Sequence, residues 1–256
     1  MENRRILVVE DNDINLLVAS GYLDKGGYLY DTASSGPEAI AKAQTHAYDL
    51  ILMDISMPDM DGFEAAQRIR ALGGWAECIP ILALSAHAAR GFREKYLAAG
   101  INDHVGKPLD YGELAQKLDL WLGRSSVEAF AASREGTPSF LPDLEDRIFH
   151  RLVSDLGTGA ALRIADAFLD RLDRHLEHFK SANVPTDLVG IAHAAHTLKS
   201  SGGHCGLMRF SALMAELEAA ASAGEANRVK DLLCGLGPVC SSAKRLLSEE
   251  CSKYRG

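Results

Sequence analysis

Three short stretches of unbroken apolar residues constrain this chain most: "RILVV" within residues 4–9, "LILM" (Leu50–Met53) and "IPILAL" (Ile79–Leu84). Runs of that length, without alternation, suit strands buried on both faces. "YLYDTA" (Tyr28–Ala33) and "DHVG" (Asp103–Gly106) are weaker strand signals. Helical patterns fill the intervals at about 12–24, 37–45, 62–72, 88–98 and 110–122, with Pro37 suited to a first helical turn. The alternation predicts an α/β domain over residues 1–123, a doubly wound five-stranded parallel sheet of flavodoxin-like type.

Periodicity then fades. Residues 124–142, "RSSVEAFAASREGTPSFLP", mix Ser, Gly, Pro and charge and are expected to be a linker, with partial helix in "SVEAFAAS" as the alternative. From 143 to 256 no strand pattern returns. "ALRIADAFLDRLDRHLEHF" places Leu162, Ala165, Phe168, Leu169, Leu172, Leu176 and Phe179 on one helical face. Phe210, Leu213, Leu217 and Ala220 form another such face, and Pro238 must break or kink the last helix. The second half therefore reads as an all-α helical bundle.

Composition excludes some functions. A formal net charge of −8 over 256 residues argues against a general nucleic-acid binder. No apolar run approaches the ~20 residues of a membrane span, so no membrane contact is expected of this chain. The five cysteines are scattered, without zinc spacing, and read as reduced thiols of a cytoplasmic protein.

The strand ends of the first domain carry unusual chemistry. Glu10 and Asp11 follow the first strand, Asp54 the third, Ser85 the fourth and Lys107 the fifth. In open parallel sheets ligands bind beyond these carboxyl ends. One aspartate there is most often a helix cap, but three converging carboxylates repel, and a hard divalent cation such as Mg2+ relieves the repulsion. In the second domain, Ile191, Ala195, Leu198, Gly202 and Cys205 advance by fours and threes as a buried stripe. His196 lies off that stripe with His193, Lys199 and Gly203 and is predicted to face water. Three readings compete for it: a solvated polar face, a zinc site for which no nearby carboxylate or thiol completes a set, and an exposed nucleophilic imidazole with Lys199 one turn on.

Residues 4–122 resemble the receiver domains of two-component signalling through "VEDNDIN", "LMDISMPDMDG", "ALSAHA" and "DHVGKPLD". The resemblance implies that Asp54 is the phosphoacceptor. It implies that Glu10, Asp11, Asp54 and the carbonyl of Ser56 hold Mg2+, that Lys107 contacts the phosphoryl oxygens and Ser85 hydrogen-bonds them, and that the Lys107–Pro108 bond is cis. Ser85 replaces the commoner Thr, and His104 stands where the family usually has Tyr or Phe. Ser56 and His87, two residues beyond Asp54 and Ser85, occupy positions that tune phosphoryl lifetime in the family. "AHTLKSSGGHCG" (Ala195–Gly206) resembles histidine-containing phosphotransfer (HPt) domains, with His196 as acceptor and Lys199 beside it.

Together these resemblances imply a phosphorelay segment like the C-terminal part of a hybrid sensor histidine kinase. A sensor histidine kinase would donate to Asp54 and a response regulator receiver would accept from His196. A flexible linker spans about 25 Å, so docking of the two domains within one chain is also in reach. No P-loop or Gly-rich ATP lid is visible, so no self-phosphorylation from ATP is expected. The rival reading is a receiver that serves as a phosphorylation-switched docking module. Gly202 and Gly203 are expected to stay helical and leave a bare surface beside His196 for a partner.

Overall fold

In the computed structural model the described residues are 4–85, 93–122, 143–182, 184 and 186–255. The chain divides into two compact units, Met1–Glu135 and Gly136–Gly256. The expected linker over 124–142 lies outside the described residues, as do the "SVEAFAAS" alternative, His87 and the start of the fourth helix predicted for the first domain.

In the first unit, β1 (Arg5–Val9), β2 (Leu29–Ala33), β3 (Leu50–Asp54), β4 (Ile81–Ser85) and β5 (Asp103–Gly106) form a parallel sheet of order β2-β1-β3-β4-β5. The unbroken apolar runs are the central strands. Every residue of β3 and β4 is buried, whereas the edge strands β2 and β5 are only partly covered. This explains why the two weakest sequence signals were edge strands: one side of each needs less apolar cover.

Helices α1 (Asp13–Gly26), α2 (Gly36–Thr45), α3 (Gly62–Arg70), the short α4 (Trp75–Cys78), α5 (Arg93–Ala98) and α6 (Tyr111–Leu122) connect the strands. The turn α4 was not foreseen; at four residues it is too short to show a periodicity. Side-chain caps fix four starts: Asn12 accepts from the Ile14 N–H at 3.0 Å, Ser35 from Glu38 at 3.4 Å, Asp61 from Glu64 at 2.8 Å and Asp110 from Glu113 at 3.0 Å. The first of these matters for function, because it begins α1 immediately beyond Glu10 and Asp11.

Gly62 opens α3 directly beneath the end of β3. A Cβ there would lie 2.1 Å from the Asp54 carbonyl oxygen and 2.8 Å from the Ile55 Cα. Both neighbours are backbone and cannot turn aside. Gly62→Ala is expected to cost roughly 3 kcal/mol by forced overpacking. Thermal melting checks it: a midpoint within two degrees of the unsubstituted chain would contradict this reading of the contact.

The second unit comprises α7 (Asp146–Leu156), α8 (Thr158–Ser181), α9 (Leu188–His204), α10 (Met208–Ser222), α11 (Ala226–Cys234) and α12 (Leu236–Ser252). Phe149, Phe168 and Phe210 are its largest fully buried side chains, with Phe168 and Phe210 packed edge to face at 5.7 Å. The buried stripe of α8 is Ala161, Ile164, Ala165, Phe168, Leu172 and Phe179. Leu162, Leu169 and Leu176, expected on that face, are half-buried at its margin, and on α10 Met214 is buried while Leu213 is half-covered. A wide apolar face leaves several equivalent centres in sequence, and packing selects one. Pro238 sits in the first turn of α12, just after the break at Gly235, where its missing N–H costs nothing.

Helix α9 runs through Gly202 and Gly203 to His204, and its predicted stripe is buried. The chain turns at Gly206 in the left-handed region (φ +79°). A side chain there would also meet the Glu145 carbonyl oxygen at 2.4 Å, so only glycine suits the position.

Candidate functional site

The order of the sheet reverses at β1, between β2 and β3, and the candidate residues of the first unit gather at the carboxyl ends beside that point. Glu10 and Asp11 leave β1, and Asp54 is the last residue of β3. One ligand atom from each of these three carboxylates lies within 4.8 Å of the others. Lys107 follows β5 and reaches back into the cluster. Its Nζ lies 2.7 Å from Glu10 Oε2 and 2.8 Å from Asp54 Oδ2, with all three side chains at most 2% exposed. The Lys107–Pro108 peptide is cis. The Ser56 N–H donates to Asp54 Oδ1 at 3.1 Å. Ser85 closes β4, is buried, and accepts from the Lys107 N–H through its carbonyl at 2.9 Å. The sheet thus brings Glu10, Asp11, Asp54, Ser56, Ser85 and Lys107 to one end.

The electrostatics are lopsided. Burial and the neighbouring Asp54 push the Glu10 carboxyl well above its usual range, against the pull of Lys107. Burial works to lower Lys107, but Asp54 and Glu10 outweigh it and hold the ammonium form. One ammonium therefore faces three crowded carboxyl groups. An all-oxygen, net-negative cluster of this kind fits a hard divalent cation such as Mg2+. Among the described residues no other group of three His, Cys, Asp or Glu side chains comes so close, so the zinc reading of His193 and His196 has no ligand set.

His104 stacks on Tyr96 at 5.9 Å, and Tyr96 on Phe63 at 5.7 Å. An imidazole at this position is thus accommodated as a flat ring in a row of rings.

In the second unit the expectation for His196 needs correction. It does not face water: the residue is only 7% exposed, and Gly203 beside it is buried. Helix α10 packs along the face that was predicted to be solvated. Glu218 on α10 stands between the two polar residues of α9. Its Oε1 lies 2.7 Å from His196 Nδ1 and its Oε2 accepts from Lys199 Nζ at 2.5 Å. Burial works to raise the Glu218 carboxyl, but the hydrogen bonds and charges of His196 and Lys199 bring it down to about 2. It is therefore an anion at neutral pH. An anionic acceptor at Nδ1 places a proton on that nitrogen, so the neutral ring keeps its lone pair on Nε2. Nε2 makes no hydrogen bond in this structure. Lys199, expected to await a phosphoryl group, is held by the same carboxylate.

Glu218 is the residue that sequence reasoning missed. The glycines also acquire a different reason: a Cβ on Gly202 would meet Phe210 at 2.8 Å and Ser211 Oγ at 3.1 Å. At Gly202 the missing side chain lets α10 approach α9 rather than leaving a bare surface for a partner. On the expectation that His196 is a phosphoryl acceptor, Glu218→Ala should slow transfer there on the order of a hundredfold by releasing the tautomer, within the range of positioned acid–base groups. Rapid-quench transfer kinetics check it; a change under threefold in a folded variant would remove Glu218 from the site.

Comparison with known proteins follows the same division. The family model of the response regulator receiver domain matches residues 6–119, and that of the Hpt domain matches residues 163–238. The sensor protein GacS of Pseudomonas syringae pv. syringae is 31% identical over 217 residues, covering 79% of this chain and 23% of that protein. The histidine-protein kinase BarA of Escherichia coli K12 is 29% identical, covering 83% and 23%. The receiver domain of the sensor histidine kinase PA1611 of Pseudomonas aeruginosa PAO1, solved with magnesium in its active-site cleft, is 40% identical over 47% of this chain and 98% of that one, with a TM-score of 0.44. The chain spans about a quarter of the length of GacS and BarA. With the carboxylate–lysine pocket at the sheet's end and the helical His196 both in place, the chain belongs to the two-component signalling family, as a receiver domain followed by an HPt domain.

Proposed function

We propose that this chain is a Mg2+-dependent phosphorelay segment in which Asp54 and His196 carry the phosphoryl group. The observation that carries the reading is the pairing of two acceptors, each built for one half of the exchange. Asp54 is a carboxylate nucleophile gripped by Lys107, and His196 has Nδ1 anchored and Nε2 free of any hydrogen bond. Asp54 attacks the phosphorus of a phosphohistidine on a sensor histidine kinase; the P–N bond breaks and an acyl phosphate forms. Mg2+ held by Glu10, Asp11, Asp54 and the Ser56 carbonyl would supply charge neutralisation on the transferring group. Lys107 adds its ammonium there, and the Ser85 hydroxyl donates to a phosphoryl oxygen.

In the second exchange the Nε2 lone pair of His196 attacks the phosphorus of an aspartyl phosphate. The acyl C–O–P linkage opens at the P–O bond, the aspartate carboxylate is restored, and Nδ1 keeps its proton toward Glu218. Passing the group on to a response regulator receiver reverses these steps. Because His196 is covered, its imidazole must turn outward, or its cover must part, as the partner docks. Among the described residues no helix is long and apolar enough to cross a membrane, and five free cysteines, of which Cys205, Cys240 and Cys251 are buried, suit a cytoplasmic place of action.

The experiment is phosphotransfer profiling with purified partners. Phosphorylated sensor kinases should label Asp54, and a phosphorylated receiver should label His196. Mixing Asp54→Ala chains with His196→Ala chains decides whether the two domains of one chain exchange. Label that reaches His196 only in intact chains supports the route within one chain; efficient complementation sinks it as an obligatory route. A chain that never takes label at Asp54, yet binds a partner protein, would instead be the docking module.

A further inference from the structure

One buried polar side chain of the first unit lies against the carboxylate cluster. Asn15 lies in the first turn of α1 and is 1% exposed. Burying a carboxamide costs on the order of 2 kcal/mol or more unless its hydrogen bonds are replaced. An apolar side chain at this position would avoid that cost. What the amide does is specific: Nδ2 donates to Glu10 Oε1 at 2.8 Å. The other oxygen of Glu10 accepts from Lys107 at 2.7 Å. The carboxylate is thus held from both sides, and the two holders differ in kind.

Lys107 is shared, since it also lies 2.8 Å from Asp54. In the proposed chemistry it must serve the phosphoryl group on Asp54, and to that extent it leaves Glu10. Asn15 holds the other oxygen of the same carboxylate from a different element. It sits on a helix whose start is fixed by the Asn12 cap, so its amide is presented from a rigid element. It is also neutral. A cation in its place would orient Glu10 but cancel the negative charge that attracts a metal; an amide orients and cancels nothing. Glutamate has one more rotatable bond than aspartate, so the need for an anchor is greater.

We propose that Asn15 is the positioning residue that fixes the Glu10 carboxylate for divalent-cation binding, independently of Lys107. This rests on the reading of Glu10, Asp11 and Asp54 as a Mg2+ site. The stretch "EDNDIN" then works as one unit: two carboxylates, a helix cap that sets α1, and an amide that reaches back to the first carboxylate.

The test is calorimetric titration of the full chain with MgCl2 in three forms: unsubstituted, Asn15→Leu and Asn15→Ala. Leu keeps the branched outline and removes the donor, at a larger volume; Ala covers the case in which Leu disturbs the core. Both are expected to weaken Mg2+ binding at least fivefold, by a factor that does not follow the change in the thermal midpoint measured without Mg2+. In acetyl phosphate labelling, the loss should fall on the Mg2+ concentration giving half the maximal rate rather than on the rate at saturating Mg2+. Mg2+ affinity within twofold of the unsubstituted chain in either folded variant overturns the proposal. So does a loss of affinity that merely tracks a lowered midpoint and a lowered saturated rate, which would make Asn15 a packing residue. Failure of the unsubstituted chain to bind Mg2+ would overturn the metal site itself, an outcome distinct from the other two.

Discussion

On the proposed reading of His196 as acceptor, His196→Gln is expected to abolish transfer of label from a phosphorylated receiver to the HPt domain, a loss of at least about a thousandfold, because the attacking nucleophile is removed. The substitution is chosen for what it preserves. Glutamine can still hydrogen-bond Glu218, so the carboxylate is not left facing Lys199 alone, and α9 stays packed on α10. The variant should melt within a few degrees of the unsubstituted chain and still take label at Asp54. Residual transfer above a tenth of the normal rate would mean that another histidine is the acceptor. His193, one turn back on α9 and half-buried, is the first to examine.

The second large effect is at Asp54. Asp54→Asn should take no label from acetyl phosphate in Mg2+, because an amide oxygen does not form a stable acyl phosphate. Its effect on stability has the opposite sign. Asp54 is one of three crowded carboxylates, and its charge helps push Glu10 above the usual range. Neutralising it removes a like-charge repulsion and leaves Lys107 paired with Glu10. Mg2+ affinity falls while the metal-free midpoint holds or rises. A midpoint lowered by several degrees would show that the Lys107–Asp54 pair contributes more than the crowding costs.

The Glu218 pair also sets an acid limit. Its carboxyl is held down to about 2 in the folded chain, below the ordinary value near 4.3 of a free glutamate. The stabilisation it provides is therefore complete above that ordinary value and is lost as pH falls toward 2.

Most of the first site was legible because Glu10, Asp11, Asp54 and Ser85 lie at the ends of strands that the apolar runs reveal, while Lys107 follows the weaker signal of β5. Once "LILM" and "RILVV" are strands, Asp54 and Glu10 can only lie at the ligand-binding end. The cis Lys107–Pro108 bond came from resemblance and not from any local signal. Asn15 was visible as a letter in a motif but not as a partner of Glu10, because a contact between a helix turn and a preceding strand end has no periodic signature.

The second site was read half correctly. The buried stripe of α9 follows from residue spacing alone, but whether the opposite face meets water depends on what packs there. His196 and Glu218 are equidistant in sequence from Leu207, the first residue after the turn at Gly206. In an antiparallel helical hairpin such positions face one another, so locating that turn would have pointed to Glu218. The glycines were correctly expected to stay helical. The purpose of Gly202, close approach to Phe210, needed the partner helix.

The central claim is that one chain offers two chemically different phosphoryl carriers, and the stability of the label distinguishes them. Acyl phosphates are cleaved by alkali and hydroxylamine, whereas phosphohistidine survives alkali and is lost in acid. The measurement is Mg2+-dependent labelling of the full chain, first with radiolabelled acetyl phosphate and then with a phosphorylated receiver, followed by acid and alkali treatment and peptide mapping. The account predicts alkali-labile label at Asp54 from acetyl phosphate, absent from Asp54→Asn, and alkali-stable, acid-labile label at His196 from the receiver, absent from His196→Gln. Label that persists in both variants, or an unsubstituted chain that takes label at neither residue, would contradict it.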